Sequence, residues 1–286
     1  MPQRFFSSID FLSDCFPSLF THIPTIFLDS LFPVRTTKYC PTPVGTVFGQ
    51  AINWPNLVYP CLFGLLIGCF GFYECFTFNL VQRSPTSSKA PSHFSLACLF
   101  FAVMNVSAFC THCYFTPQSF TWQIMYAIDM CATSTSSIYL LLSTLTNVPK
   151  IITKLSYIYF PVTFYVLWTF EIQGKQLYWI PEFLYIGVTG FAAGVLFWKV
   201  MVKELIAGDY LMYLLPALNG LAMFIAAAPA DAMLCDLLGN PYGNLLTPAF
   251  VGCDLAFGGL IGYVIAKDDD AFDEKIMRIK RKQKEV

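Results

Sequence analysis

Long apolar stretches separated by short polar segments dominate this chain. Seven windows are long and apolar enough to cross a bilayer as helices, which takes about 20 residues each. They cover residues 60–81, 94–115, 121–145, 151–170, 183–201, 210–229 and 245–266. The pattern predicts an all-α, polytopic membrane protein whose seven-transmembrane helix bundle occupies residues 54–266.

The composition supports a membrane class. The chain is 56% hydrophobic and 12% charged, with a mean hydropathy of +0.58, whereas soluble domains are about 25% charged. A chain this apolar has more hydrophobic side chains than a single water-soluble domain buries in its core. The alternative is a large soluble protein with buried helices. We expect the protein to lie in a lipid bilayer and to have no nucleic-acid partner.

Basic residues predict the orientation of the bundle, because short loops rich in Lys and Arg stay in the cytoplasm. The tail contains Lys275, Arg278, Lys280, Arg281, Lys282 and Lys284, and alternate loops contain Arg83, Lys89, Lys150, Lys154, Lys199 and Lys203. The opposite loops hold almost none. The N-terminus is therefore predicted outside or in the lumen of an endomembrane or plasma membrane, and the C-terminus in the cytoplasm.

Two segments flank the predicted bundle. In residues 1–53, an apolar stretch is interrupted by Asp10 and Asp14, which does not fit a signal-peptide core. An amphipathic helix on the outer leaflet and a cleaved or poorly ordered segment both remain open. Residues 267–286 form a charged cytoplasmic tail, acidic and then basic, whose basic half suits contact with anionic lipid.

Glycine spacing predicts where helices pack closely, since small residues let backbones approach in lipid. The spacing G-x-x-x-G occurs at Gly64 and Gly68, at Gly190 and Gly194, and at Gly258 and Gly262. Prolines interrupt three spans, and we expect kinks or helix starts there. They are Pro161, Pro216 and Pro248.

Cysteines leave two interpretations open. Cys110 and Cys113 form a C-x-x-C pair in the second window, read either as structural thiols or as a metal or redox pair. Cys15, Cys40 and Cys235 fall on the predicted outer side, where a disulfide persists.

Apart from the lysines near the ends of spans, four ionisable residues lie inside predicted spans, where charge is costly and usually faces the bundle interior. They are Glu74, His112, Asp129 and Asp254. A polar cluster is predicted in the outer half from Ser107, His112, Asp129, Thr133, Ser136 and Asp254. Two interpretations stand side by side: interhelical hydrogen bonding, or a polar cavity that opens outward. Glu74 lies in the other half of the bilayer.

The placement of these residues resembles the CREST superfamily of seven-helix membrane proteins, which includes alkaline ceramidases, the progestin and adiponectin receptors (PAQR) and myomaker-like proteins. The family pattern has Ser-x-x-x-His in the second helix, Asp in the third and His-x-x-x-His in the seventh. The resemblance implies Ser107, His112 and Asp129 as catalytic candidates. In active members the three histidines hold zinc, whose bound water attacks a lipid amide or ester.

The chain departs from that pattern in two places. Ser107 lies five residues before His112, one more than the family spacing. Thr247 and Val251 stand where the two histidines of the last helix are expected, and no histidine follows His112. The resemblance therefore implies a degenerate member without cofactor. A metal site rebuilt from His112, Asp129 and Asp254, with Cys113 or Cys253, is the remaining zinc alternative.

These features favour a non-catalytic, multi-pass membrane protein with an outward-facing polar cavity that binds a lipid or a partner membrane protein. One alternative is a zinc-dependent lipid amidase or esterase of the ceramidase type. The other is a proton-coupled transporter that uses Glu74, Asp129 and Asp254. The sequence names no ligand, organelle or oligomeric state.

Overall fold

The computed structural model describes residues 44–47, 49–81, 93–116, 119–145, 148–168, 187–202, 214–219 and 247–264. Helix makes up 87% of the described residues, which confirms the predominantly helical class. The apolar stretch near the N-terminus, most of the sixth window and the charged tail lie outside the described residues. So do Cys15, Cys40 and Cys235.

The helices follow the predicted windows closely. They are α1 (Val58–Val81), α2 (His93–Ala108), α3 (Phe120–Ser143), α4 (Lys150–Leu167), α5 (Thr189–Met201) and α6 (Thr247–Val264). A π-helix, Phe109–Tyr114, continues α2, and residues 214–219 form a short helical segment with Pro216 inside it. Pro161 lies inside α4.

Within the part of the chain that the structure describes, three stretches of helix are long and apolar enough to cross a membrane. They are Pro55–Phe76, His93–Tyr114 and Thr247–Val264. Helix α3 has 24 residues, as many as α1. Its middle, however, carries an unbroken run of hydroxyl side chains from Thr133 to Ser137, which makes it less apolar.

Helix α2 lies at the centre of the packed helices. In the stretch His93–Tyr114, 61% of the window is buried, against 33% in Pro55–Phe76 and 33% in Thr247–Val264. Helix α2 packs against α1 on one side and α3 on the other. The rings of Phe101 and Phe257 stack with their centroids 4.0 Å apart, which joins α2 to α6.

Glycines on one face of α1 allow the close packing of α1 on α2. A Cβ added at Gly68 would lie 2.7 Å from the backbone nitrogen of Ala102 and 2.8 Å from the carbonyl oxygen of Cys98. The predicted close approach at Gly64 and Gly68 is therefore present. Gly71, which the sequence analysis did not single out, extends the same face. At Gly194 and Gly262 an added Cβ would meet no described atom within 4 Å.

A β-hairpin precedes the helices, and the sequence analysis did not predict it. Strand β1 (Val44–Val47) pairs antiparallel with β2 (Gln50–Asn53), with Val44 opposite Asn53. Gly49 lies in the turn at φ 79°, a conformation that glycine adopts without steric cost. Val47 and Ile52 are buried in the same core as the helices. Part of the segment 1–53 is therefore a strand pair packed on the bundle.

Candidate functional site

The C-terminal end of α2, which carries the candidate functional residues, is a π-helix rather than an α-helix. The amide of Phe115 donates to the carbonyl oxygen of Cys110 at 2.8 Å, a five-residue step. The indole Nε1 of Trp122 donates to the carbonyl oxygen of Thr111 at 2.8 Å, which ties this wide turn to α3. Such turns are frequent at functional sites because the extra residue changes the direction of the side chains.

His112, within this π-helix, faces Asp129 of α3. The Nε2 of His112 lies 3.7 Å from the Oδ2 of Asp129. The Asp129 side chain is only 8% exposed and that of His112 is 28% exposed. The structure thus brings together the two residues that the sequence analysis paired. At this distance they form an ion pair when the imidazole carries a proton, and the imidazole is the member that solvent reaches.

Asp254 belongs to a different junction, between α1, α2 and α6. Its Oδ1 and the Oδ1 of Asn105 both lie against the backbone of Gly64, in the space that a Cβ would need. Asn105 and Asp254 are almost fully buried, and neither Oδ1 has a hydrogen-bond partner among the described residues. The sequence analysis missed Asn105, because it searched the spans for ionisable residues only. The sequence signal that could have identified Asn105 is its polar amide within the largely apolar stretch from Phe94 to Cys110.

The interior face of α6 determines which of its residues take part in the site. Phe250, Asp254, Phe257 and Ile261 are buried, whereas Val251 is 41% exposed. Thr247 is partly exposed. The positions compared above with the histidine pair, Thr247 and Val251, therefore do not line the interior together. The inward positions of this helix carry Phe250 and Asp254 instead.

Most hydroxyl groups of the predicted polar cluster donate hydrogen bonds within their own helices. Ser107 donates to the carbonyl oxygens of Val103 and Met104, and Thr133 donates to that of Asp129. This back-bonding to residues three or four positions earlier is common for Ser and Thr in helices. Ser136 is different, because its Oγ donates to the carbonyl oxygen of Ala97 at 2.9 Å. It joins α3 to α2 by an interhelical hydrogen bond.

A cavity of about 60 Å³ lies between α2, α3, α5, α6 and the segment 214–219. Its apolar lining residues are Phe101, Met104, Leu140, Ala192, Ala193, Leu196, Pro216, Ala256 and Phe257. Its polar lining residues are Thr133, Ser136, Ser137, Thr189, Asn219 and Cys253. Of the predicted cluster, Thr133 and Ser136 therefore line this cavity. Ser107, His112, Asp129 and Asp254 do not.

Thiol and carboxyl groups collect around the N-terminal part of α1 and the C-terminal end of α2. Cys61 of α1 lies within electrostatic range of Cys110, Cys113, Asp129 and Asp254. Cys110 and Cys113 are both free, and the Sγ of Cys113 lies 3.8 Å from the carbonyl oxygen of Trp54. Within the described ranges, no group of three or more His, Cys, Asp or Glu side chains is placed to hold a metal ion.

Glu74 lies apart from these groups. It is ten residues along α1 from Gly64, which corresponds to about 15 Å at the α-helical rise. It is partly buried. Between Glu74 and Gly64 on α1 lies the contact of Gly68 with α2, where the backbones leave no room for a Cβ.

Comparisons of the chain with protein-family models, with curated proteins and with solved structures find no match.

Proposed function

We propose that the chain is a seven-helix membrane protein with the helix order of the CREST superfamily. The support is the order and length of the helices, together with the His112–Asp129 contact between the end of the second helix and the start of the third. In this arrangement α1 to α5 are the first five spans, residues 210–229 the sixth and α6 the seventh. The N-terminus lies outside and the C-terminus in the cytoplasm.

Within that bundle we infer that the cavity binds an apolar group, such as the hydrocarbon chain of a lipid, and that the protein does not hydrolyse it. The lining carries the proposal: aromatic and aliphatic side chains form most of it, with a few hydroxyl and amide groups. Ligand sites are typically built this way, with the polar groups fixing orientation. Apolar cavities of this kind take up apolar molecules rather than water.

The size of the cavity limits what it holds. About 60 Å³ exceeds the roughly 10–15 Å³ that one water needs, but it is small for a whole lipid. We infer that a chain end or another small apolar group enters between α3 and α5. The hydroxyls of Ser137 and Thr189 and the amide of Asn219 lie at the wall for a single polar contact.

A zinc hydrolase is the second candidate, and the observation in its favour is the His112–Asp129 pair. Zinc hydrolysis uses three protein ligands and a water. Here the interior face of α6 carries Asp254 rather than histidines, and Asp254 lies against Gly64 and Asn105. This donor set favours binding over hydrolysis.

Fatty-acid binding to the purified protein tests the cavity. The probe is a naturally fluorescent polyene fatty acid, titrated against the protein in detergent. Saturable binding is expected for the wild type. Ala193→Phe fills the space between α3 and α5 and should weaken binding about tenfold, which corresponds to about 1.4 kcal/mol.

The matched control is Gly194→Phe, the neighbouring position on the same helix. A Cβ added there would meet no described atom within 4 Å, and Gly194 does not line the cavity, so saturable binding should persist. Equal binding by wild type and Ala193→Phe, with both variants folded, would contradict the cavity proposal.

A further inference from the structure

The junction of Gly64, Asn105 and Asp254 contains two buried oxygen acceptors with no donor. Asn105 is fully buried and Asp254 is 3% exposed. The Oδ1 atoms of both lack a hydrogen-bond partner among the described residues. A buried polar atom without a partner costs about 1–3 kcal/mol, and more when it is charged. Two such oxygens at the same point therefore indicate a missing positive species.

The orientation of the Asn105 amide is fixed by its own hydrogen bond. Its Nδ2 donates to the carbonyl oxygen of Phe101 at 2.9 Å. Exchanging the two ends of the amide would set an oxygen against that carbonyl oxygen and leave two acceptors in contact. The amide oxygen therefore faces Gly64, next to the Asp254 carboxyl group.

The carboxyl group also lacks a counter-ion. Among the described residues, the ion pair of this region joins His112 to Asp129, and Asp254 has none. Among the described residues, the thiols of Cys61 on α1 and Cys253 on α6 lie within electrostatic range of Asp254. Neither supplies a positive charge. An unpaired carboxylate inside a membrane span is expensive, and such residues commonly mark ion or proton pathways.

Glycine at position 64 makes the geometry possible. A Cβ there would approach both oxygens more closely than a normal van der Waals contact. Any other residue would therefore push the two oxygens apart. The site is also separate from the cavity. Met104 and Cys253 line the cavity, whereas Asn105 and Asp254, the next residues on each helix, turn toward α1.

We propose that Asn105 and Asp254 bind a small monovalent cation, a sodium ion or a proton, at Gly64. A carboxylate and an amide oxygen are hard donors that suit such a cation, which neutralises the carboxylate and bridges both acceptors. If the species is a proton, it comes from solvent, the carboxyl O–H donates to the amide oxygen of Asn105, and no other bond changes. The site stands independently of ligand binding in the cavity.

Two measurements on the purified full-length protein identify the cation. In the first, thermal unfolding is followed while choline is replaced by sodium at constant ionic strength. A sodium site predicts a saturable rise in Tm of several degrees. The rise should be lost in Asp254→Asn, Asn105→Leu and Gly64→Ala, and kept in the controls Glu74→Gln and Gly262→Ala.

The second measurement is the infrared spectrum at neutral pH. A proton site predicts the carbonyl stretch of a protonated carboxyl group, shifted in deuterium oxide. That band should be absent in Asp254→Asn, changed in frequency in Asn105→Leu and unchanged in Glu74→Gln. If wild-type protein shows neither a sodium-dependent Tm nor this band, the proposal is wrong, whatever the variants do. A response that persists in Asp254→Asn would also overturn it.

Discussion

The imidazole of His112 faces the carboxyl group of Asp129, with 3.7 Å between Nε2 and Oδ2. The contact joins the π-helix at the end of α2 to the third turn of α3. It holds the two helices together at the end where a short turn connects them. Because Asp129 is buried and His112 partly exposed, the pair links the interior of the packed helices to their surface.

This contact predicts coupled effects of substitution. His112→Ala leaves the Asp129 carboxyl group buried without its partner and should lower the free energy of unfolding by about 1–3 kcal/mol. Asp129→Asn alone should cost less, because the amide is neutral and still reaches the imidazole. The double variant should lose less than the sum of the two single losses, measured by denaturant unfolding in detergent micelles. Strictly additive losses would show that the two side chains do not interact.

Close packing at Gly68 predicts a position-specific loss of stability. A Cβ there meets the backbone of Ala102 and Cys98, which does not move as a side chain would. Gly68→Ala should therefore cost about 1–3 kcal/mol, as overpacking does. The control Gly262→Ala, where the added methyl meets no described atom within 4 Å, should stay within about 0.5 kcal/mol of wild type. Equal losses in the two variants would mean that α1 and α2 are farther apart than described.

The helices of the chain were predictable from the sequence because length and apolarity are local properties. The ends of α1, α3 and α4, and those of α2 taken together with the π-helix that continues it, fall within three residues of the predicted windows, with the largest difference at Leu167. The hairpin at 44–53 was missed, since two strands of four residues leave almost no periodic signal. The π-helix was missed for a related reason: one extra residue in a turn does not change the hydrophobic pattern.

The site was predictable only in part, because pairing across helices depends on rotation as well as depth. His112 and Asp129 were paired correctly, since a short turn connects their helices. Asp254, which the sequence analysis groups with His112 and Asp129, lies against Gly64 and Asn105, because its rotation about the α6 axis directs it toward α1. Ser107 was assigned to the polar cluster, yet its hydroxyl is satisfied by its own helix.

The loop charges predict the orientation of the termini. A tag at the C-terminus should be cytosolic and a tag at the N-terminus external or lumenal, because the basic loops alternate with nearly uncharged ones. Protease protection of tagged protein in sealed membranes measures both. Both tags on one side would require an even number of spans and would contradict the seven-helix arrangement.

The donor set predicts that the protein does not carry zinc at one atom per chain. A catalytic zinc takes three protein ligands, and the inward residues of α6 include Asp254 and Cys253 but no histidine. Elemental analysis by mass spectrometry on purified, chelator-washed protein measures this. Zinc near one atom per chain, lost in both His112→Ala and Asp254→Asn, would show a zinc site rebuilt with a carboxylate ligand. That result would favour the zinc hydrolase function.

We propose that an apolar group occupies the cavity between α2, α3, α5 and α6. Photo-crosslinking with a diazirine-bearing fatty acid, followed by peptide mapping, tests this occupancy. Labelling is expected on α3 around Ser137 and Leu140, and on α5 around Leu196. Ala193→Phe should remove that labelling but leave the label on the exposed face of α1, at Leu62 and Leu66, as an internal control. Label confined to exposed faces in the wild type, or cavity label unchanged by Ala193→Phe, would contradict the claim.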